Sequence, residues 1–150
     1  MKNIFTPEVT EEIIARINNL NPTSQALWGK MNVAQMLAHC NVTYDLAFND
    51  KHKKATGIKK WVFSTFLKPI VCGEKPYARN SRTAPVFLIT DVRVFETEKR
   101  LLIEFITKAQ ELGDAYFNGK ESVSFGNLTP QEWNNMFYKH LDHHLSQFGV

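Results

Sequence analysis

Three of the five histidines fall within five residues near the end of the chain, and their spacing suggests metal chemistry. His140 and His144 stand four positions apart in the run His140-Leu141-Asp142-His143-His144. A helix turns about 100° per residue, so residues at this spacing share one face and two such imidazoles can bind one metal ion. Because the pair would equally suit the negative end of a helix dipole, a metal site requires a further ligand.

His39 offers a third imidazole from a separate helix. Met36 and Leu46 flank it three residues before and seven residues after, which allows it to face the interior. A neutral imidazole buried without a partner carries a desolvation cost, and one shared cation would satisfy all three. Helix bundles commonly build metal sites from side chains on facing helices. We therefore predict an open site with His39, His140 and His144 as ligands, whose remaining positions hold water or substrate.

Other polar side chains near these positions are weaker candidates. His143 lies about 60° around the helix from His140, farther from the apolar centre. Cys40 points about 100° away from its histidine neighbour, so core packing is the better interpretation. Asp142 could orient a ligand imidazole, but its place opposite the apolar face favours contact with solvent. Cys72 stands next to a turn and could be exposed.

Four segments with apolar residues at three- and four-residue steps predict the helices that would hold these side chains. Their expected limits are Thr6-Pro7 to Asn21-Pro22, Asn32 to Asn49-Asp50, 96–112 with Gly113 as the C-terminal glycine, and Thr129-Pro130 to Gly149. Asn32 and Gln35 form a capping-box pattern. We expect an all-α four-helix bundle that makes one domain over 1–150. The long connection between the second and third helices argues against a simple up-down-up-down order.

The connection between these two helices is strongly basic. Residues 50–82 contain nine of the 18 Lys and Arg residues against two acids, a local charge of +7 in a chain of net charge +3. Residues 61–67 predict a short amphipathic helix that Pro69 stops, and 73–85 predict a loop. We expect extended chain at 86–89 and irregular structure at 114–128.

This basic segment has several interpretations. It could rim the metal pocket and attract an anionic substrate or thiol. It could also lie on nucleic acid or acidic lipid, since Trp61, Phe63 and Phe66 alternate with lysines. A solvated face is the plainest interpretation. We expect no nucleic-acid partner, because the total charge is small and no binding motif is present.

Composition limits the class of protein further. The chain has 150 residues, of which 43% are hydrophobic and 22% charged, as in ordinary globular domains. Two cysteines cannot form a four-thiolate zinc site, and they fit a reducing compartment. The first residues predict no targeting segment, and the apolar stretch 61–72 is too short to cross a bilayer. We expect a cytoplasmic protein without a membrane span, and a homodimer stays an open alternative to a monomer.

Two motifs resemble the DinB-like metalloprotein superfamily, in particular its branch of uncharacterised small bacterial proteins. The first is Trp28-Gly29-Lys30-Met31 followed by Ala34-Gln35-Met36-Leu37-Ala38-His39-Cys40. The second is Trp133 followed by the closing run His140-Leu141-Asp142-His143-His144-Leu145-Ser146-Gln147-Phe148-Gly149-Val150. The resemblance extends more loosely through 83–102 and so covers most of the chain.

The resemblance implies a four-helix bundle of up-down-down-up type with a long crossover between helices two and three. It also implies a divalent metal, usually nickel or zinc, held by His39, His140 and His144, with His143 as the alternative to one of the final pair. Characterised relatives are transferases and isomerases that use low-molecular-weight thiols such as bacillithiol or mycothiol. The sequence thus points to a metal-dependent thiol transferase or hydrolase acting on a small molecule. The alternative is a non-catalytic module that binds a small ligand or a partner.

Overall fold

A computed structural model describes residues 1–49 and 51–150, and this part of the chain is mostly helical. Its elements in order are α1 (Pro7–Asn18), α2 (Val33–Phe48), α3 (Gly57–Val62), a π turn (Phe63–Leu67), α4 (Lys68–Cys72), a 3₁₀ turn (Pro85–Phe87), α5 (Phe95–Phe117), β1 (Glu121–Ser122), β2 (Gly126–Asn127) and α6 (Pro130–Gln147). The helical prediction is confirmed, although it missed the small antiparallel hairpin of β1 and β2.

The predicted helix starts are confirmed at three of the long helices. Thr6 is the N-cap of α1, and Asn32 is the N-cap of α2. The Asn32 side chain accepts a 2.9 Å hydrogen bond from the Gln35 N–H, and the Gln35 side chain accepts a 3.1 Å bond from the Asn32 N–H. Thr129, the expected start of α6, makes the same reciprocal pair with Glu132, which was not predicted from the sequence. These caps fix the starts of the two helices that carry the histidines.

The four long helices α1, α2, α5 and α6 pack on one another around an apolar core. Helix α2 packs against both α5 and α6, and α1 also contacts α5 and α6. The Tyr44 ring on α2 stacks on Phe137 of α6, with centroids 4.6 Å apart. Phe117 closes the same cluster at 5.4 Å from Phe137. This aromatic packing holds α2 and α6 face to face and thereby sets the distance between their histidines.

The predicted ends of α2 and α5 fit the structure less completely. Helix α2 ends at Phe48 with Asn49 as its C-cap, and the expected stop at Asp50 lies outside the described residues. Gly113 has the positive φ of a terminating glycine, 60°, but the chain resumes helical structure and ends at Phe117. The prediction of irregular structure from 114 onward was therefore wrong at its start. The expected extended chain at 86–89 was wrong for its first half, because Pro85–Phe87 form a 3₁₀ turn and extended backbone begins at Leu88.

The crossover region is more helical than the sequence indicated. We call residues 57–72, which comprise α3, the π turn and α4, the crossover helix. Pro69 was expected to stop a helix over 61–67, but the helix continues to Cys72. The Lys68 N–H bonds the Phe63 carbonyl, an i→i−5 pairing. Proline has no backbone N–H, so Pro69 cannot donate a hydrogen bond within the helix. The wider turn before it makes room for the proline ring.

Polar groups of α6 anchor the end of the crossover helix. The Asn135 amide donates a 2.9 Å hydrogen bond to the Cys72 carbonyl. The buried Lys139 ammonium donates to the carbonyls of Ile70, Gly73 and Lys75, and desolvation lowers its pKa. Cys72 is consequently 3% exposed, so the expectation that it could be exposed was wrong. No helix in the described ranges combines the length and apolar character that a bilayer span requires.

Candidate metal centre

The structure brings His39 of α2 together with His140 and His144 of α6. The Nε2 atoms of His39 and His140 lie 2.9 Å apart. Ring centroids of the three imidazoles are separated by 4.5 to 4.8 Å. His39 and His144 are 5% and 8% exposed, and His140 is partly buried. Within the described ranges these residues form the one group that could hold a metal ion, with ligand atoms no more than 4.8 Å apart.

Each imidazole has a partner for its Nδ1 atom. His39 Nδ1 lies 2.9 Å from the Phe87 carbonyl, which can only accept, so this nitrogen carries the proton. His144 Nδ1 lies 2.8 Å from Gln147 Oε1. The Gln147 amide nitrogen donates to the Trp28 carbonyl at 2.6 Å, which fixes the oxygen as the acceptor from the histidine. Both imidazoles therefore present an unprotonated Nε2, the form that a metal ligand requires.

His140 is oriented by a side chain of the facing helix. Its Nδ1 atom lies 2.9 Å from Thr43 Oγ1, one helical turn after His39 on α2. A hydroxyl can either donate or accept, so this contact allows Nδ1 to carry the proton and leaves Nε2 available. Metal-binding histidines usually make such a bond through the second ring nitrogen, and the bond fixes the tautomer and the ring orientation.

Burial keeps these imidazoles neutral. Desolvation lowers the pKa of His144 to about 3 and places that of His140 well below its ordinary value, with the neighbouring histidines adding to both effects. Desolvation also lowers the pKa of His39, against the opposing hydrogen bond to the Phe87 carbonyl. Neutral imidazole is the ligand form, so protons compete weakly with a metal ion at this site near neutral pH.

The distances fit a small divalent ion. Nitrogens bound about 2.1 Å from one ion at right-angled to tetrahedral geometry lie about 3.0–3.4 Å apart. The 2.9 Å pair is close to this range, and a modest side-chain shift would bring the widest pair, at up to 4.8 Å, into it. The donor set contains three nitrogens and no acid, which leaves further coordination positions for water or substrate.

Aromatic side chains and one cation surround the three imidazoles. Phe87 packs 5.3 Å from His39, and Tyr77 packs 5.7 Å from His143, as measured between ring centroids. Trp28 lies 5.9 Å from His143 on another side, and the exposed Arg79 guanidinium stacks 4.2 Å above the Trp28 ring. We call Trp28, Tyr77, Arg79, Phe87 and His143 the rim. The rim is built from the α1–α2 connection, the connection between α4 and the 3₁₀ turn, the 3₁₀ turn itself and α6.

The other sequence candidates occupy different positions. His143 is half-buried in the rim and does not belong to the three-histidine group of the described chain. Asp142 pairs with Arg16 at 2.8 Å, in keeping with its expected place away from the apolar face. Cys40 is buried in the core, and burial raises the pKa of its thiol.

Sequence reasoning missed the side chains that orient the three imidazoles. Thr43 follows His39 by four residues, and Gln147 follows His144 by three, so each shares a helix face with a histidine of the group. That spacing was a usable signal. The Phe87 carbonyl and the Arg79 guanidinium lie on connections that carry no periodic pattern, so their place at the site could be found only from the fold.

Comparison with known families gives a match that covers nearly the whole chain. The model of a family described as a protein of unknown function (DUF1569) covers residues 5–149. The chain belongs to the DUF1569 family. The matched range includes all three histidines and the whole rim. No curated protein and no solved structure matches this DUF1569 chain significantly.

Proposed function

We propose that this DUF1569 protein is a DinB-like metalloprotein in which His39, His140 and His144 bind one divalent ion, with nickel and zinc as the leading candidates. The carrying observation is a group of three imidazoles whose Nδ1 atoms all have hydrogen-bonding partners. The long helices then correspond to the up-down-down-up bundle of that superfamily, in a single domain. Imidazole ligands suit Zn, Ni, Cu and Fe alike, so the ligand set does not select the metal.

The same proposal makes the protein a thiol-dependent transferase, or a hydrolase, that acts on a small molecule. A bound divalent ion would supply a nucleophile near neutral pH by lowering the pKa of a coordinated thiol or water. We assign His143 as the acceptor of the released proton, because its ring centroid lies 5.0 Å from that of His144 and burial, which lowers its pKa, leaves the imidazole unprotonated. Tyr77 and Phe87 limit the access of bulk water to the three imidazoles.

Arg79 gives the proposal its substrate class. Its guanidinium carbon lies 4.2 Å from the centroid of the Trp28 ring, and an arginine that packs on an aromatic face keeps its N–H groups available to another partner. Arg79 has no ion pair within 1–49 and 51–150. An arginine held in this way recognises a carboxylate or a phosphate. We therefore assign an anionic substrate, or the carboxylate of a low-molecular-weight thiol, to the rim.

A non-catalytic binding module is the second candidate function. The observation that favours it is the aromatic cover, since Phe87 packs against both His39 and His140 with centroids within 5.9 Å. A ligand seated beneath such a cover could be held without being transformed. Metal would then be structural or absent.

The deciding experiment measures metal and activity on the same sample. Protein purified without a histidine tag is expected to contain about one equivalent of a divalent metal by elemental analysis. It should also gain thermal stability when zinc or nickel is added to the metal-free form. A metal-free protein whose melting temperature ignores both ions would contradict the proposal. A screen of thiols with electrophilic substrates then separates the two candidates, because inactivity with metal bound favours the binding module.

A further inference from the structure

The crossover helix exposes a continuous apolar row. Ile58 is 82% exposed, Trp61 61%, Phe66 59% and Ile70 59%. Trp61 and Phe66 contact each other edge to face, with ring centroids 6.2 Å apart. Single exposed apolar residues are ordinary, but a contiguous patch on one helix marks an interaction surface. We call these four residues together with Val62 and Leu67 the apolar row.

The π turn keeps the row straight. Ile58, Val62, Phe66 and Ile70 follow one another at four-residue steps. In a regular α-helix each step rotates about 40° around the axis, so the fourth residue would lie about 120° from the first. The π turn at Phe63–Leu67 is wider and advances less per residue. It therefore rotates the following residues back toward the side of Ile58, which agrees with the 59% exposure of Ile70.

The opposite face of the crossover helix is already engaged with the rest of the protein. The Ser64 hydroxyl donates to the Phe125 carbonyl at 3.3 Å. Lys60 pairs with Glu121 at 3.3 Å, and Lys68 pairs with Glu132 at 2.8 Å. The helix therefore cannot bury its apolar row by rotating inward unless these bonds break. An external partner must cover the row if anything does.

Charge selects the partner. The segment that contains the row, residues 50–82, carries a local charge of +7, and it stays positive after its ion pairs with three acids outside it, Asp45, Glu121 and Glu132. Lys59 is exposed beside the row and lies 5.5 Å above the Phe63 ring. Two copies of the chain packed row to row would bring two such basic segments together, which opposes association. An anionic surface would instead attract them.

We propose that the crossover helix lies in the headgroup region of an anionic lipid bilayer, with the apolar row inserted and Lys59 at the phosphates. An amphipathic helix with Trp, Phe and aliphatic residues on one face and lysines beside them binds in this way. Aromatic side chains such as Trp61 favour the membrane–water boundary. Each lysine near an anionic surface contributes about 1 kcal/mol. This inference does not depend on the metal centre.

Vesicle sedimentation tests the proposal with the full-length protein. We expect the protein to sediment with vesicles of phosphatidylcholine mixed with phosphatidylglycerol, to bind phosphatidylcholine alone much more weakly, and to dissociate as salt is raised. Phe66→Glu should weaken binding about tenfold or more, because a phenyl ring that inserts into the bilayer is replaced by a negative charge that the anionic lipids repel. Val92→Glu is the matched control, since Val92 is 96% exposed on another segment, and it should bind as the wild type does.

The remaining outcomes overturn the proposal. Absence of sedimentation with the anionic vesicles would do so, as would equal binding to neutral vesicles or equal loss in the two variants. A concentration-dependent dimer in ultracentrifugation that Phe66→Glu dissociates and Val92→Glu does not, without vesicle binding, would assign the row to a second copy instead. Circular dichroism of both variants verifies that each one is folded.

Discussion

The three-histidine group buries polar side chains, whereas the apolar row exposes large apolar side chains, so both regions reverse the usual distribution between interior and surface. At the first, polar imidazoles are buried between α2 and α6, and each Nδ1 atom has a partner. At the second, large apolar side chains stand in solvent with an engaged polar face behind them. Both arrangements cost free energy unless a partner is bound, because burial disfavours polar groups and water disfavours apolar surface. The difference predicts two separate partners, a cation inside and a surface outside.

The largest expected effect is the loss of a ligand. His39→Ala should abolish metal binding, a greater loss than the about 10- to 100-fold that removing an orienting partner costs. His143→Ala is the matched control and should retain metal, because His143 lies outside the three-histidine group. Elemental analysis and zinc titration of both variants provide the measurement. If His143→Ala lost the metal and His39→Ala kept it, the ligand assignment would be reversed.

Acid should unfold the metal-free protein through the same histidines. Burial lowers the pKa of His144 to about 3 and that of His140 well below the ordinary value. The unfolded chain takes up these protons below about pH 6.5 while the folded chain does not, so stability is full above that pH and falls as pH drops toward 3. The total effect is on the order of several kcal/mol.

Acid denaturation followed by circular dichroism, with and without added zinc, measures this dependence. Bound metal should move the midpoint to lower pH, because protons must then displace the ion before they bind. If zinc did not change the midpoint, the acid sensitivity would not arise from the residues that bind the metal. The row should have no part in the effect, and Phe66→Ser is expected to show the wild-type midpoint.

An orienting partner should have a smaller effect than a ligand. Thr43→Val keeps the shape of the side chain but removes the hydroxyl that lies 2.9 Å from His140 Nδ1. We expect about 10- to 100-fold weaker metal binding with the fold intact. Thr43→Ser restores the hydroxyl and should recover most of the affinity. Equal affinity in all three proteins would mean that this contact does not orient the ligand.

The sequence predicted the inner region better than the outer one for a physical reason. Capping residues and helical period act over three or four residues, so the α1 and α2 starts and the facing positions of His39 and His144 could be read directly. The Thr43 and Gln147 contacts follow the same spacing and could have been included. The Phe87 carbonyl and Arg79 come to the site through long connections, whose path no local pattern determines.

The predicted end of the crossover helix was wrong because tertiary contacts outweigh a local sequence rule there. Pro69 ordinarily ends a helix, but a π turn precedes it and α6 anchors the residues that follow through Asn135 and Lys139. Burial of Cys72 depends on the same anchors. Neither the wider turn nor the anchoring has a signal in three or four neighbouring residues. The sequence therefore did not predict that the helix continues past Pro69 and that the apolar row extends over both of its halves.

The smallest expected effect is on the stability of the isolated protein when the row is changed. Phe66 is 59% exposed, so Phe66→Ser should change the free energy of unfolding by no more than about 0.5 kcal/mol. By contrast, Phe137→Ala in the fully buried core should cost about 3–5 kcal/mol. Urea denaturation of both variants gives the two values. A loss for Phe66→Ser that approached the core value would show that the row packs within the protein itself, and the contrast between a closed interior site and an open outer surface would then fail.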